Sequence, residues 1–163
     1  MRRQIILSLT LIAIGTLAAR AQTRNETFEW LRGRLTQLVP YEYEGKSYQR
    51  YIEVEALEDC RLDLRDAWQK PDGNTEDHLT VRVKDLDAQH HTIINFTRGA
   101  WLLTVPVRNG KFLITSCDTP LPCKRPSWSN DLSLIFSDGD VAKRASRAIT
   151  HAVKLCGGGR DAF

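Results

Sequence analysis

The side chains through which this chain could do chemistry are few: four histidines, four cysteines and a handful of paired acids. His90 and His91 are neighbours, and neighbours in a strand point to opposite faces, so they make poor partners for one metal ion. His78 falls in or beside a polar loop, and His151 borders the apolar stripe of a helical stretch. No H-x-x-x-H, C-x-x-C or H-E-x-x-H spacing occurs, which argues against a metal centre. Ser116 and Ser137 lie outside any G-x-S-x-G nucleophile turn. Glu53 and Glu55 share a strand face, as do Asp85 and Asp87 if that piece is extended. Paired carboxylates can serve as acid and base, but a solvated sheet face accounts for both pairs. Asp138-Gly139-Asp140 lacks the later ligands of a calcium loop and reads as helix capping. The glycines at 157–159 end a helix, so they offer no N-terminal amides to a phosphate. Asn25-Glu26-Thr27 and Asn95-Phe96-Thr97 match the N-glycosylation pattern. The sequence therefore assigns no catalytic residue, no cofactor and no metal ligand.

What remains is structural. Cys117 and Cys123 have five residues between them, among Pro120 and Pro122, and not at a helix start where a redox thiolate would be stabilised. They read as a local bridge. Cys60 and Cys156 then pair, tying an early strand to the last helix across a loop long enough to contribute roughly 4–5 kcal/mol in chain-entropy terms. Four cysteines allow three pairings, and this is the favoured one. Pro122, Pro126 and Trp128 lie on or beside the stapled loop. A rigid loop bearing an aromatic ring loses little entropy on binding, so these three form the candidate contact surface.

The first 21 residues read as an export signal. Arg2 and Arg3 precede an apolar run from Ile5 to Ala19, and Ala19-Arg20-Ala21 fits an A-x-A site with cleavage between Ala21 and Gln22. The run falls short of the ~20 apolar residues of a spanning helix, and no later segment is long and apolar enough to cross a membrane. The 163 residues less these 21 leave 142, enough for one domain with a real core. Of 23 basic residues, Arg2, Arg3 and Arg20 leave with the signal, so 20 face 20 acids. A neutral mature chain lacks the basic excess that nucleic-acid binding draws on. The expected location is periplasmic or secreted, with an unidentified protein or cell-envelope component as partner.

The elements that must position these residues follow from periodicity. Thr23 to Val39 carries Phe28, Leu31, Leu35 and Leu38 on one face and predicts a helix stopped by Pro40; Tyr41 to Lys46 reads as a connection. From Tyr48 the period is two. Ile52, Val54 and Ala56, then Cys60, Leu62 and Leu64, predict a hairpin around Glu58-Asp59. Residues 70–77 carry strong loop signals. Strands follow at Leu79–Val83, His91–Thr97 and Trp101–Val107. Asn109-Gly110 predicts a tight hairpin into a return strand at Phe112–Ser116. Asp118 to Asn130 is a proline-bearing loop. A strand at Leu132–Phe136 precedes an amphipathic helix from Asp140 to Cys156, opened by a capping-box-like Ser137-Asp138-Gly139-Asp140 and closed by glycines.

Seven sequential antiparallel strands closed by a C-terminal amphipathic helix resemble the order of elements in a pleckstrin-homology-like roll, in which the helix plugs one open end of a bent sheet. The resemblance covers 48–157 and leaves 22–47 as an added helix and connection and 158–163 as a tail. The tryptophan usual in that closing helix is missing, with Ile149 and Ala152 on the stripe. The first turn, Glu58-Asp59, lacks the basic signature of phosphoinositide binders, so no lipid function is carried over. The ending from Asp138 or Asp140 through Ala142, Arg144, Ala148, His151, Leu155, Cys156, Gly157 and Gly158 is also similar to that of small uncharacterised exported bacterial proteins. That likeness implies export and brings no activity. The expectation is an α+β domain: a strongly bent antiparallel sheet or roll of about seven strands, closed by the C-terminal helix. Its role is that of a non-enzymatic binding or structural module of the cell envelope, contacting partners through the 118–130 loop and an open strand edge. The alternatives are a small exported hydrolase with distant His and carboxylates, and a small-ligand or lipid carrier.

Overall fold

The computed structural model describes residues 23–110, 114–118 and 127–158. The Ala21–Gln22 cleavage point, Pro122, Cys123 and Pro126 lie outside them, so the Cys117–Cys123 bridge and most of the 118–130 loop do as well. Helix α1 spans Arg24–Leu35. Thr23 and Glu26 form a reciprocal capping box: the Thr23 amide donates to the Glu26 carboxylate (2.8 Å) and the Glu26 amide to the Thr23 hydroxyl (3.2 Å). Thr27, Phe28, Leu31 and Leu35 are its buried side chains. The helix ends well before Pro40, and residues expected as its last turn and as a connection form strand β1, Gln37–Tyr43. Val39 and Tyr41 point inward and Leu38, Pro40 and Glu42 outward, which is strand periodicity. Proline is tolerated because β1 is an edge strand, where a missing N–H need cost no ladder bond.

Strands β2 (Lys46–Glu58), β3 (Arg61–Lys70) and β4 (Gly73–Arg82) continue an antiparallel meander. The β2–β3 turn falls on Asp59-Cys60, both left-handed at φ 46° and 62°, one residue beyond the expected position. The expected loop at 70–77 is only a Pro71-Asp72 turn, because β4 already begins at Gly73. A register shift between Val54 and Ala56 makes Leu57, and not Ala56, the next fully buried position on β2. Short strands β7 (Ile114–Asp118) and β8 (Ser127–Ser129) complete a six-stranded sheet in the order β1-β2-β3-β4-β7-β8. A second sheet is ordered β5 (Thr92–Thr97), β6 (Ala100–Pro106), β9 (Asp131–Phe136).

Asn109 and Gly110 do adopt left-handed φ values of 60° and 62°, as their turn chemistry demands. They do not make a β6–β7 hairpin. Strand β6 has β5 on one side and β9 on the other, so both its edges are filled, and the turn instead sends the chain to the other sheet.

Helix α2, Gly139–Leu155, packs on the three-stranded sheet and against α1. Ala142, Ala145, Ile149, Ala152 and Val153 form its buried stripe, and the small side chains let neighbouring elements approach closely. Its N-cap is Asp138, not Ser137: the Asp138 carboxylate accepts from the amides of Asp140 (2.6 Å) and Val141 (3.1 Å). At the other end the Gly157 amide donates to the Lys154 carbonyl and the Gly158 amide to the Val153 carbonyl, with Gly157 left-handed at φ 77°, a Schellman motif. Cys156, in that cap, is bonded to Cys60 in the β2–β3 turn, 96 residues earlier. The fold is α+β, with antiparallel sheets that do not close on themselves and a helix at each end of the described chain.

Candidate functional site

Cross-strand register sorts the outer face of the six-stranded sheet into rows. Pro40, Gln49, Gln69 and Asn74 lie opposite one another on β1 to β4. The next row is Leu38, Tyr51, Ala67 and Glu76, and the one after it Glu53, Arg65 and His78. An amide row, a largely apolar row and a charged row thus run side by side. Adjacent strands lie about 4.8 Å apart, so each row is a line of side chains at that spacing.

A groove of about 450 Å³ runs along these rows, with Leu38, Tyr51 and Ala67 giving apolar surface, Gln49, Gln69 and Asn74 giving amides, and Arg65 and Glu76 closing one side. Adjoining depressions share Gln49: one of about 580 Å³ reaches Tyr48 and Arg98, and another of about 460 Å³ reaches Lys46 and Lys70. Leu38 is 55% exposed. Among the described residues, none of the three amides has a side-chain hydrogen-bond partner. Each carries two donors and one acceptor facing solvent.

The charged side chains are largely engaged with one another, although Arg65 Nε is buried without a hydrogen-bond partner among the described residues. Arg65 donates through Nη2 to Glu76 Oε2 at 2.7 Å and through Nη1 to Glu53 Oε2 at 3.5 Å. His78 sits between Glu55 (Nδ1 to Oε2, 3.0 Å) and Glu76 (Nε2 to Oε1, 3.4 Å). The Arg65 hydrogen bond, aided by its positive charge, holds the Glu76 carboxyl below its ordinary range, and the same bond raises the Arg65 guanidinium. Asp63 accepts from Arg61 Nε (2.9 Å) and from the Thr80 hydroxyl (2.6 Å).

Beneath the groove lies a buried ion pair. Arg50 donates through Nε and Nη2 to the two Asp66 oxygens at 2.8 and 2.7 Å, and Nη2 also reaches the Ser133 carbonyl of β9 at 2.9 Å. Its guanidinium carbon lies 4.4 Å from the Trp68 ring centre. At the sheet corner, Tyr41 stacks on Tyr48 (5.4 Å) and Tyr43 on Phe96 (5.7 Å), with the Thr97 hydroxyl donating to the Glu42 carbonyl. Burial pushes the Tyr41 phenol up, opposed by the positive charge of Arg50.

The residues singled out in the sequence are scattered. His90 bonds Asp87 (2.8 Å), and His91 donates to the Ala88 carbonyl (2.8 Å), each within its own turn. His151 is half-buried on α2. Glu53 and Glu55 do share a face, where each meets a cation or histidine. Trp128 is 56% exposed on β8, the opposite edge of the sheet from Leu38, and does not line the groove. Among the described residues, no group of three His, Cys, Asp or Glu side chains is placed to hold a metal ion. Neither the alignment of the amide row nor the meeting of Arg50 with Asp66 is legible in the sequence. Single glutamines look like ordinary surface until register aligns them.

No protein-family model, curated protein or solved structure matches the chain.

Proposed function

We propose that this chain is an exported, non-enzymatic binding module of the cell envelope, and that it binds through the outer face of β1 to β4. One observation carries the reading: three amides without partners among the described residues line a partly apolar groove, while the charged groups at its side, Arg65 and Glu76, are bonded to each other. Unpaired amides beside apolar surface offer orientation and contact area, which is what a binding site needs. The engaged carboxylates and His78 are held by their partners in a structural network. Export is supported by the Cys60–Cys156 bridge, which persists in oxidising compartments, and by the signal-like residues 1–21. Among the described residues no helix is long and apolar enough to cross a membrane.

The test is co-sedimentation with insoluble envelope material from the cells that make the protein. The wild-type chain should pellet, and the variant Gln49→Ala/Gln69→Ala/Asn74→Ala should stay in the supernatant with unchanged circular dichroism. Equal pelleting of both would remove this face from the account.

A further inference from the structure

Resting on that reading, we infer that the groove takes a neutral, unbranched glycan laid across the strands, with successive sugar rings meeting Gln49, Gln69 and Asn74. Three features of the face specify that chemistry. The first is charge. Arg65 is bonded to Glu76 and Glu53, and His78 lies between Glu55 and Glu76. The charged side chains that line the groove itself, Arg65 and Glu76, are thus bonded to each other, and a neutral ligand leaves that pair intact. The second is hydrogen-bonding type. A hydroxyl both donates and accepts, and so does a carboxamide, so a hydroxyl-lined edge can satisfy each amide in either sense. The third is spacing. The amides stand on adjacent strands, β2, β3 and β4, in direct register. Their repeat of about 4.8 Å is close to the length of one pyranose unit in an extended chain. The apolar row beside them, Leu38, Tyr51 and Ala67, is where the C–H faces of the same rings would lie.

An extended peptide fits this face less well. Peptides dock on sheets by adding a strand to an edge and bonding main chain to main chain, whereas these amides are side-chain groups aligned across three strands on the face of the sheet, two of them on β2 and β3, which are paired on both sides.

The probes are a neutral N-acetylglucosamine tetramer, a cellotetraose and an uncharged Gly/Ser peptide of similar length. They are titrated into the isotope-labelled, oxidised protein and followed by the side-chain amide resonances in a nitrogen–proton correlation spectrum. One or both glycans should shift the Gln49, Gln69 and Asn74 side-chain signals. Each single alanine substitution should weaken binding about fivefold, the effect of one hydrogen bond. Shifts from the peptide alone would overturn the glycan class and leave the binding face standing. No shift from any probe, with the triple variant still failing to pellet with envelope material, would overturn the glycan while sparing the module. No shift together with normal pelleting of the variant would overturn both.

Discussion

Arg50 and Asp66 show how a charged residue earns a place inside a small protein. Each is only 5% exposed, and each satisfies the other through two hydrogen bonds, with the Ser133 carbonyl taking a further guanidinium proton. Desolvating a charge is expensive, so removing one partner leaves an uncompensated buried ion. Asp66→Ala should therefore lower unfolding free energy by about 3–5 kcal/mol, read as a fall in urea midpoint. The double variant Arg50→Met/Asp66→Leu should recover most of that loss. A double variant as unstable as the single one would mean that the pair itself, and not the orphaned charge, carries the energy. Half of this was legible in the sequence. Arg50 shares its strand parity with Ile52 and Val54, and Asp66 shares its parity with Leu62 and Leu64, so alternation alone sends both inward. Their meeting was not legible, because it depends on register: Arg50 lies opposite Trp68, and Asp66 is its diagonal neighbour. The amide row is hidden for the same reason, since Gln49, Gln69 and Asn74 are far apart in the chain and align only through pairing.

Elements defined by their own residues are legible in the sequence, and those defined by their neighbours are not. Helix α2 declares itself through a 3.6-residue stripe, an acidic start and a glycine stop, and it forms nearly as expected. The end of α1 depends on a choice between two periodicities in Leu35–Tyr41, and burial of Val39 and Tyr41 beneath the sheet decides for strand. Asn109-Gly110 carries a correct local conformation into an unexpected connection, because β6 was already paired on both sides. One contact positions the start of α2. A side-chain carbon added at Gly139 would come within 2.8 Å of the Trp101 indole, a ring of the sheet on which the helix rests. Gly139→Ala should therefore destabilise by about 1–3 kcal/mol, the usual cost of overpacking. At Gly33, exposed on α1 with nothing within 4 Å of an added carbon, the same change should stabilise by about 0.5–1 kcal/mol. Thermal unfolding of the two variants checks both signs.

At the scale of the molecule, the disulfide joins the hairpin turn of one sheet to the helix that covers the other. Closing 96 residues, it contributes roughly 4–5 kcal/mol in chain-entropy terms. The inner faces carry the core, from Ile52, Leu64 and Val81 on one sheet to Leu103, Leu134 and Phe136 on the other. The outer face of β1 to β4 is left to solvent. Among the described residues, Leu38 there, Tyr43 and Phe96 at the sheet corner, Ile94 on β5, Trp128 on β8 and Leu155 on α2 are all large exposed apolar residues, so several surfaces compete to be the contact site. Side-chain footprinting by carbene labelling, with and without the envelope material that the protein pellets with, separates them most directly. The account predicts that Leu38 and Tyr51 become protected while Ile94, Trp128 and Leu155 stay labelled. Protection at Ile94, Trp128 or Leu155 with Leu38 and Tyr51 unchanged would contradict it.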